Sequence, residues 1–249
     1  MSLETRTIAG TIENSPTLVF LHEGLGSVEM WRDFPERVAK ATGLGALVYS
    51  RRGYGASEPA VLPRSVRFMH DEAYDVLPEV LDAAAISKAI LVGHSDGGSI
   101  ALLHAARFGP PRIQAVIAMA PHVFVEEVAL TNIQKAAVAY EQGDLRAKLA
   151  RYHADVDGAF LGWNRIWLAP EFRTWNIEDE LPKITAPMLL IQGKNDEYGT
   201  LAQLESIVRH ARAPVETCIL DACGHSPHRD QAERVIEAMS SFIRRLRST

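Results

Sequence analysis

Three residues in this chain have the types needed for nucleophilic catalysis, and two of them sit in diagnostic local patterns. Ser95 lies in the stretch AILVGHSDGG (89–98), with Gly93 and Gly97 two positions to either side. That spacing is the G-x-S-x-G pattern of a nucleophile elbow, a turn so sharp that only glycine fits on both flanks of the serine. A serine hydroxyl is a poor nucleophile until a base takes its proton, and the base must itself be oriented by a third group. Asp196 in QGKNDE (192–197) and His225 in DACGH (221–225) supply an acid and an imidazole in the order Ser, Asp, His. The plainer alternatives are a serine that only caps a helix, and an aspartate that only closes a surface turn. Glu197 is an alternative acid. His228 competes with His225 and reads as a surface or rim residue, whereas His94 reads as a packed histidine that bonds backbone.

The elements that must position these groups follow from hydrophobic patterning. Residues 89–93 form a short apolar run, a buried strand, and after Gly97-Gly98 the apolar spacing turns helical through Ile100, Leu103 and Phe108. Similar apolar strands stand at 17–21 (TLVFL), 46–50 (ALVYS), 114–120 (QAVIAMA), 187–193 (PMLLIQG) and 216–220, with residues 5–12 as a small edge strand. Helices are predicted at about 30–41, 72–84, 201–211 and 231–246. Near-continuous apolar strands alternating with helices imply a mostly parallel sheet covered on both faces, an α/β fold. In such sheets the working residues gather at the strands' carboxyl ends, where Ser95, Asp196 and His225 all fall.

The rhythm breaks between 123 and 183, which carries helical stretches (126–142, 145–153 and 158–168) and no strand signal. It reads as a helical cap inserted into a core made of 1–122 and 184–249. The cap holds Trp163, Trp167 and Trp175, three of the four tryptophans. Trp163 and Trp167 lie one helical turn apart and share a face, where they either line a substrate pocket or pack the cap onto the core.

Taken together, the chain resembles an α/β-hydrolase over nearly its whole length. The resemblance implies an oxyanion hole made by two backbone N–H groups: that of Asp96, directly after the nucleophile, and that of Gly24 in the loop HEGLGS (22–27). Glu23 replaces the glycine usual at that point of the loop and brings a carboxylate close to the site. Asp96 is also unusual, because a carboxylate beside a developing negative charge opposes it. It is expected either to bind a cationic substrate group such as an α-amine, or to turn aside and cap the following helix or pair with an arginine. Arg51 and Arg52 are the candidates for countering Glu23 or Asp96. The Ser-Asp-Gly-Gly string and the helical cap are more weakly similar to biphenyl-hydrolase-like, valacyclovirase-type amino-acid-ester hydrolases. The substrate-binding residues expected are thus Asp96, Glu23, Trp163 and Trp167.

The function expected is a serine hydrolase of a small carboxylic ester, with an amino-acid ester, thioester or lactone within the same chemistry. A C–C bond hydrolase using the same triad and a weakly catalytic ligand receptor of this fold are the alternatives. Serine at position 95 argues against dehalogenase and epoxide-hydrolase chemistry, which needs a carboxylate there. A net charge of −5 argues against a nucleic-acid partner. The opening MSLETRTIAG has no apolar signal core and no apolar run approaches the ~18 residues of a membrane span, so a cytoplasmic chain without a membrane segment is expected. No cofactor is called for, and a His225/His228/Asp230 metal cluster is the weaker reading. Cys218 and Cys223 lack metal spacing and read as reduced thiols.

Overall fold

A computed structural model describes residues 2–247. In chain order its elements are β1 (Thr5–Ile8), β2 (Thr17–Leu21), α1 (Phe34–Thr42), β3 (Ala46–Tyr49), α2 (Phe68–Asp71), α3 (Leu77–Ala83), β4 (Ala89–His94), α4 (Asp96–Phe108) and β5 (Ile113–Met119). There follow α5 (Glu127–Gln142), α6 (Leu145–Leu149), α7 (Val156–Trp167), β6 (Met188–Gly193), α8 (Ala202–His210), β7 (Val215–Leu220), α9 (Pro227–Asp230) and α10 (Ala232–Leu246). The seven strands form one sheet in the order β1-β3-β2-β4-β5-β6-β7. Only β1 runs antiparallel to its neighbour, with Thr5 opposite Tyr49.

Side-chain alternation along each strand divides the core into two layers. Leu18 and Phe20 of β2, Ile90 and Val92 of β4, and Leu189 and Ile191 of β6 face α1 and α10. Val19, Leu21, Leu91, Val116 and Leu190 face the other way, against α3, α4 and α8. β4 is buried along its whole length at the centre of the sheet, so its carboxyl end is a fixed platform.

The expected helix over 30–41 is two pieces. A single 3-10 turn at Glu29–Trp31 ends at Arg32, whose φ of 54° interrupts the helix before Phe34. The helix expected at 72–84 begins four residues earlier as α2 and runs into α3 through a π-type turn at Glu72–Val76. Between β5 and β6 the described residues make no strand, only α5, α6, α7 and 3-10 turns at Pro170–Thr174 and Glu178–Lys183, apart from one isolated bridge between Phe124 and Asn176. The helix expected at 145–153 stops at Leu149. His153 is drawn instead into a tertiary contact: its Nδ1 accepts the Gly55 N–H at 3.0 Å and its Nε2 donates to the Leu25 carbonyl at 3.0 Å. No helix among the described residues is long and apolar enough to cross a membrane.

Candidate active site

Ser95 stands on the turn from β4 to α4. Ser95 adopts φ 54° and ψ −120°, a conformation that L-residues avoid and that the surrounding structure must enforce. Its N–H donates to the Met119 carbonyl at 2.9 Å, tying the turn to β5. Gly97 completes it: a Cβ there would run into the Leu21 carbonyl oxygen at the end of β2. Ser95 Oγ lies 2.9 Å from His225 Nε2, and His225 Nδ1 lies 2.8 Å from Asp196 Oδ1. The three residues predicted from sequence are therefore brought into one hydrogen-bonded line.

Each member of the line is held by others. Asp196 Oδ1 also accepts the N–H groups of Tyr198 (2.8 Å) and Gly199 (3.1 Å), while Gln192 Nε2 donates to Oδ2 at 3.2 Å. Burial opposes its charge, but the His225 hydrogen bond and these donors outweigh it and hold the carboxyl below its ordinary range. Glu197, the alternative acid, accepts the His225 main-chain N–H at 3.1 Å and so fixes the loop rather than the ring. Asp230 accepts the Gly224 N–H at 2.8 Å from the other side. His94 packs as expected, donating through Nε2 to the His225 carbonyl at 2.6 Å.

His228 departs from the expected rim position. It is buried, with its ring 4.8 Å from those of Trp31 and His94 and 5.5 Å from Phe34, and burial holds it well below the ordinary histidine range. His225, His228 and Asp230 thus serve three separate contacts. Among the described residues no group of three or more His, Cys, Asp or Glu could hold a metal ion.

Above Ser95 lies a cavity of about 160 Å³, walled by Glu23, Gly24, Leu25, His94, Asp96, His122, Ala129, Ile133, Trp163, Trp167, Tyr198, His225 and Ser226. Trp163 and Trp167 both line this space and pack α7 onto the core. Trp175 does not reach it and stacks on Phe172 at 5.5 Å. Gly24 admits no side chain, because a Cβ would strike the Trp163 indole nitrogen. The Gly24 N–H has no acceptor among the described residues.

The two unusual carboxylates both face partners in the protein, although Asp96 Oδ2 accepts no hydrogen bond among the described residues. Asp96 is 1% exposed; its Oδ1 accepts the Trp167 indole N–H at 3.2 Å and its Oδ2 is 3.9 Å from Arg51 Nη2. Burial raises its pKa, with Arg51 and Trp167 pulling the other way. Glu23 faces His94 Nδ1 at 3.4 Å and Arg229 at 3.6 Å, partners that outweigh the cost of burial and keep its carboxyl well below the ordinary range. Arg51 is thus the arginine that meets Asp96, whereas Arg52 turns away to Glu58 at 2.8 Å.

Sequence reasoning missed His122 and Tyr198. His122 stands just past the end of β5, its ring 5.8 Å from that of His225, and burial lowers its pKa to about 3, so it meets the cavity as a neutral ring. Tyr198 lies 4.9 Å from the His225 ring. Position just beyond a central strand's carboxyl end is the signal that would have found both.

Comparison with known proteins agrees with the fold. The mouse (Mus musculus) sn-1-specific diacylglycerol lipase ABHD11 is 25% identical over 257 residues, covering 92% of this chain and 81% of that protein. The solved structure of a proline iminopeptidase from Mycobacterium smegmatis superposes with a TM-score of 0.78 at 19% identity, covering 97% of this chain and 94% of the other. An esterase from Exiguobacterium antarcticum gives 0.76 at 19% identity, covering 97% and 95%. The sequence pattern of the alpha/beta hydrolase family matches residues 18–238, and the chain belongs to that family.

Proposed function

We propose that this chain is a serine hydrolase of small, neutral carboxylic esters. The observation that carries the reading is the unbroken line of hydrogen bonds, 2.9 and 2.8 Å, from Ser95 Oγ through His225 to Asp196 at the floor of a cavity. Ser95 Oγ attacks the ester carbonyl carbon while His225 Nε2 takes its proton. The carbonyl oxygen becomes an anion held by the Gly24 and Asp96 N–H groups. The intermediate collapses, His225 gives the proton to the departing alcohol, and the acyl group stays on Ser95. Water then repeats the sequence, with His225 as base, and releases the acid. Asp196 keeps Nδ1 of His225 protonated and stabilises the imidazolium.

Residues 123–183 act as the cap in this reading, and Trp163 and Trp167 supply an apolar roof. A cavity near 160 Å³ resembles in size the engineered ~150 Å³ cavity that holds benzene, so it suits a short or single-ring acyl group. The neutral acyl group is favoured over an amino acid because Asp96 is only 1% exposed, gives one oxygen to the Trp167 indole and has its charge faced by Arg51 at 3.9 Å.

The test is a chromogenic ester panel pairing each neutral acyl group with its α-amino counterpart, with Ser95→Ala as control. Turnover of neutral esters that vanishes in Ser95→Ala, with stoichiometric labelling of Ser95 by a fluorophosphonate, is expected. Absence of turnover and labelling in folded protein refutes the hydrolase, and preference for amino esters refutes the neutral specificity.

A further inference from the structure

Arg51 is 2% exposed, lies outside the cavity wall, and has no carboxylate in direct hydrogen-bond contact. A guanidinium so buried needs a reason. Its Nη2 donates to the Glu23 carbonyl at 2.8 Å and to the His22 carbonyl at 3.3 Å. Its main-chain N–H donates to His22 Nε2 at 3.0 Å, which makes Nε2 the acceptor and leaves the proton on Nδ1. His22 Nδ1 then donates to the same Glu23 carbonyl at 2.7 Å, and the Gly26 N–H adds a third bond at 3.1 Å. The Tyr54 ring, 5.0 Å from Arg51 Cζ, holds the guanidinium in place.

The Glu23 carbonyl belongs to the peptide unit whose N–H is that of Gly24. In a trans peptide the two groups point in opposite directions. Three donors that pin the carbonyl inward therefore aim the Gly24 N–H outward, and withdrawing electron density from the oxygen makes that N–H a stronger donor. The same guanidinium faces Asp96 Oδ2 at 3.9 Å, and Asp96 carries the other N–H. Its positive charge offsets a carboxylate that would otherwise repel a developing oxyanion.

Resting on the proposed serine mechanism, we infer that Arg51 is the positioning residue of the oxyanion hole, fixing the Glu23–Gly24 peptide through its carbonyl and neutralising Asp96 from behind. It touches no substrate atom.

The experiment compares Arg51→Met, Arg51→Lys and the double variant Arg51→Met/Asp96→Asn with the wild type, counting active sites by fluorophosphonate titration. The probes are the best ester substrate and its trifluoromethyl ketone. On binding the ketone, Ser95 Oγ bonds the carbonyl carbon, the serine proton passes to His225, and the ketone oxygen becomes the anion. Loss of one oxyanion donor costs about 10²–10³ in kcat. Arg51→Met is accordingly expected to lose about 10²-fold in kcat per titrated site and about 10²-fold in ketone affinity, with KM within about threefold of wild type. Arg51→Lys, which keeps one donor and the charge, recovers part of both. The double variant removes both members of the buried pair and so guards against a folding failure of the single change. Its ketone affinity and kcat stay low if Arg51 positions the peptide. Wild-type kcat and ketone affinity in Arg51→Met, their full recovery in the double variant, or a loss confined to the number of active sites would each overturn the inference. Turnover surviving in Ser95→Ala overturns instead the site reading on which the inference stands.

Discussion

Acid should weaken this fold through its buried histidines, and His104 allows a measurement of one group at a time. His104 lies on the inner face of α4, 1% exposed, with Nδ1 donating to the Ala73 carbonyl at 2.7 Å. Burial, aided by Arg112, lowers its pKa from 6.5 to about 4. Its folded value is depressed, so the unfolded chain takes up the proton first as pH falls. The contribution of His104 is intact above pH 6.5 and is lost progressively down to about pH 4. At pH 5 the unfolded form has gained about 1.5 pH units of protonation, worth about 2 kcal/mol at 1.36 kcal/mol per unit. That is a large share of the roughly 5–15 kcal/mol that stabilises a typical domain. The perturbation is His104→Asn, whose side-chain amide nitrogen falls where Nδ1 stood and retains a donor for Ala73 but cannot titrate. Urea unfolding at pH 7 and pH 5 gives the pH-linked loss for each protein. Burial raises the pKa values of Asp96 and Glu72, which act in the opposite sense, so the difference between the two proteins is the readout, not either curve alone. The variant should lose about 2 kcal/mol less than the wild type on going from pH 7 to pH 5. A difference below about 0.5 kcal/mol would refute the assignment of a buried, neutral His104.

Asp196→Asn keeps an oxygen for the Tyr198 and Gly199 N–H groups and removes the charge opposite His225; kcat per titrated site should fall about 10³- to 10⁴-fold, and a loss under tenfold would dismiss Asp196 as the orienting acid. Gly24→Ala drives a methyl group into the Trp163 indole and should lower kcat/KM at least about tenfold, as expected for a misplaced oxyanion donor. Adding Trp163→Ala should restore part of that loss, whereas strictly additive losses would show that the contact does not matter. Across straight-chain p-nitrophenyl esters, kcat/KM should peak at short acyl groups and fall at least about tenfold by twelve carbons, since the cavity is near 160 Å³; a flat series would mean that the roof formed by α7 opens readily.

Much of this was legible in the chain because the relevant signals are local. The apolar run of β4 and the glycines around Ser95 dictate a strand, a sharp turn and a helix within a few residues, and no distant contact is needed to read them. Asp196 and His225 were readable for the same reason, each standing just beyond a strand that the sequence marks clearly. The rest depends on residues far apart in sequence. His228 packs against Trp31 and Phe34, almost 200 positions away, so nothing near it announces that it is buried. The helix expected to run to residue 153 ends early because His153 is claimed by Gly55 and Leu25, a contact that outweighs one more turn of backbone bonding. Arg32, with a φ of 54°, breaks a periodicity that by itself reads as continuous helix.

Asp96 shows best what the third dimension adds. Judged locally, a carboxylate directly after the nucleophile is a defect, and a local defect at a site invites the idea that it serves the substrate. In the folded chain its charge is answered from two sides, by Trp167 of α7 at 3.2 Å and by Arg51 beyond β3 at 3.9 Å. At about 4 Å and an effective dielectric constant near 20, two opposite unit charges attract by roughly 4 kcal/mol, so a nearby oxyanion would meet a carboxylate–guanidinium pair and not a lone carboxylate. Arg51 also holds the Glu23 carbonyl. Asp96 and the Glu23–Gly24 peptide therefore share one buried cation, and a change at any of the three must be felt by both N–H groups of the proposed oxyanion hole. The oddity at position 96 is then a question about the protein's own electrostatics before it is one about its substrate.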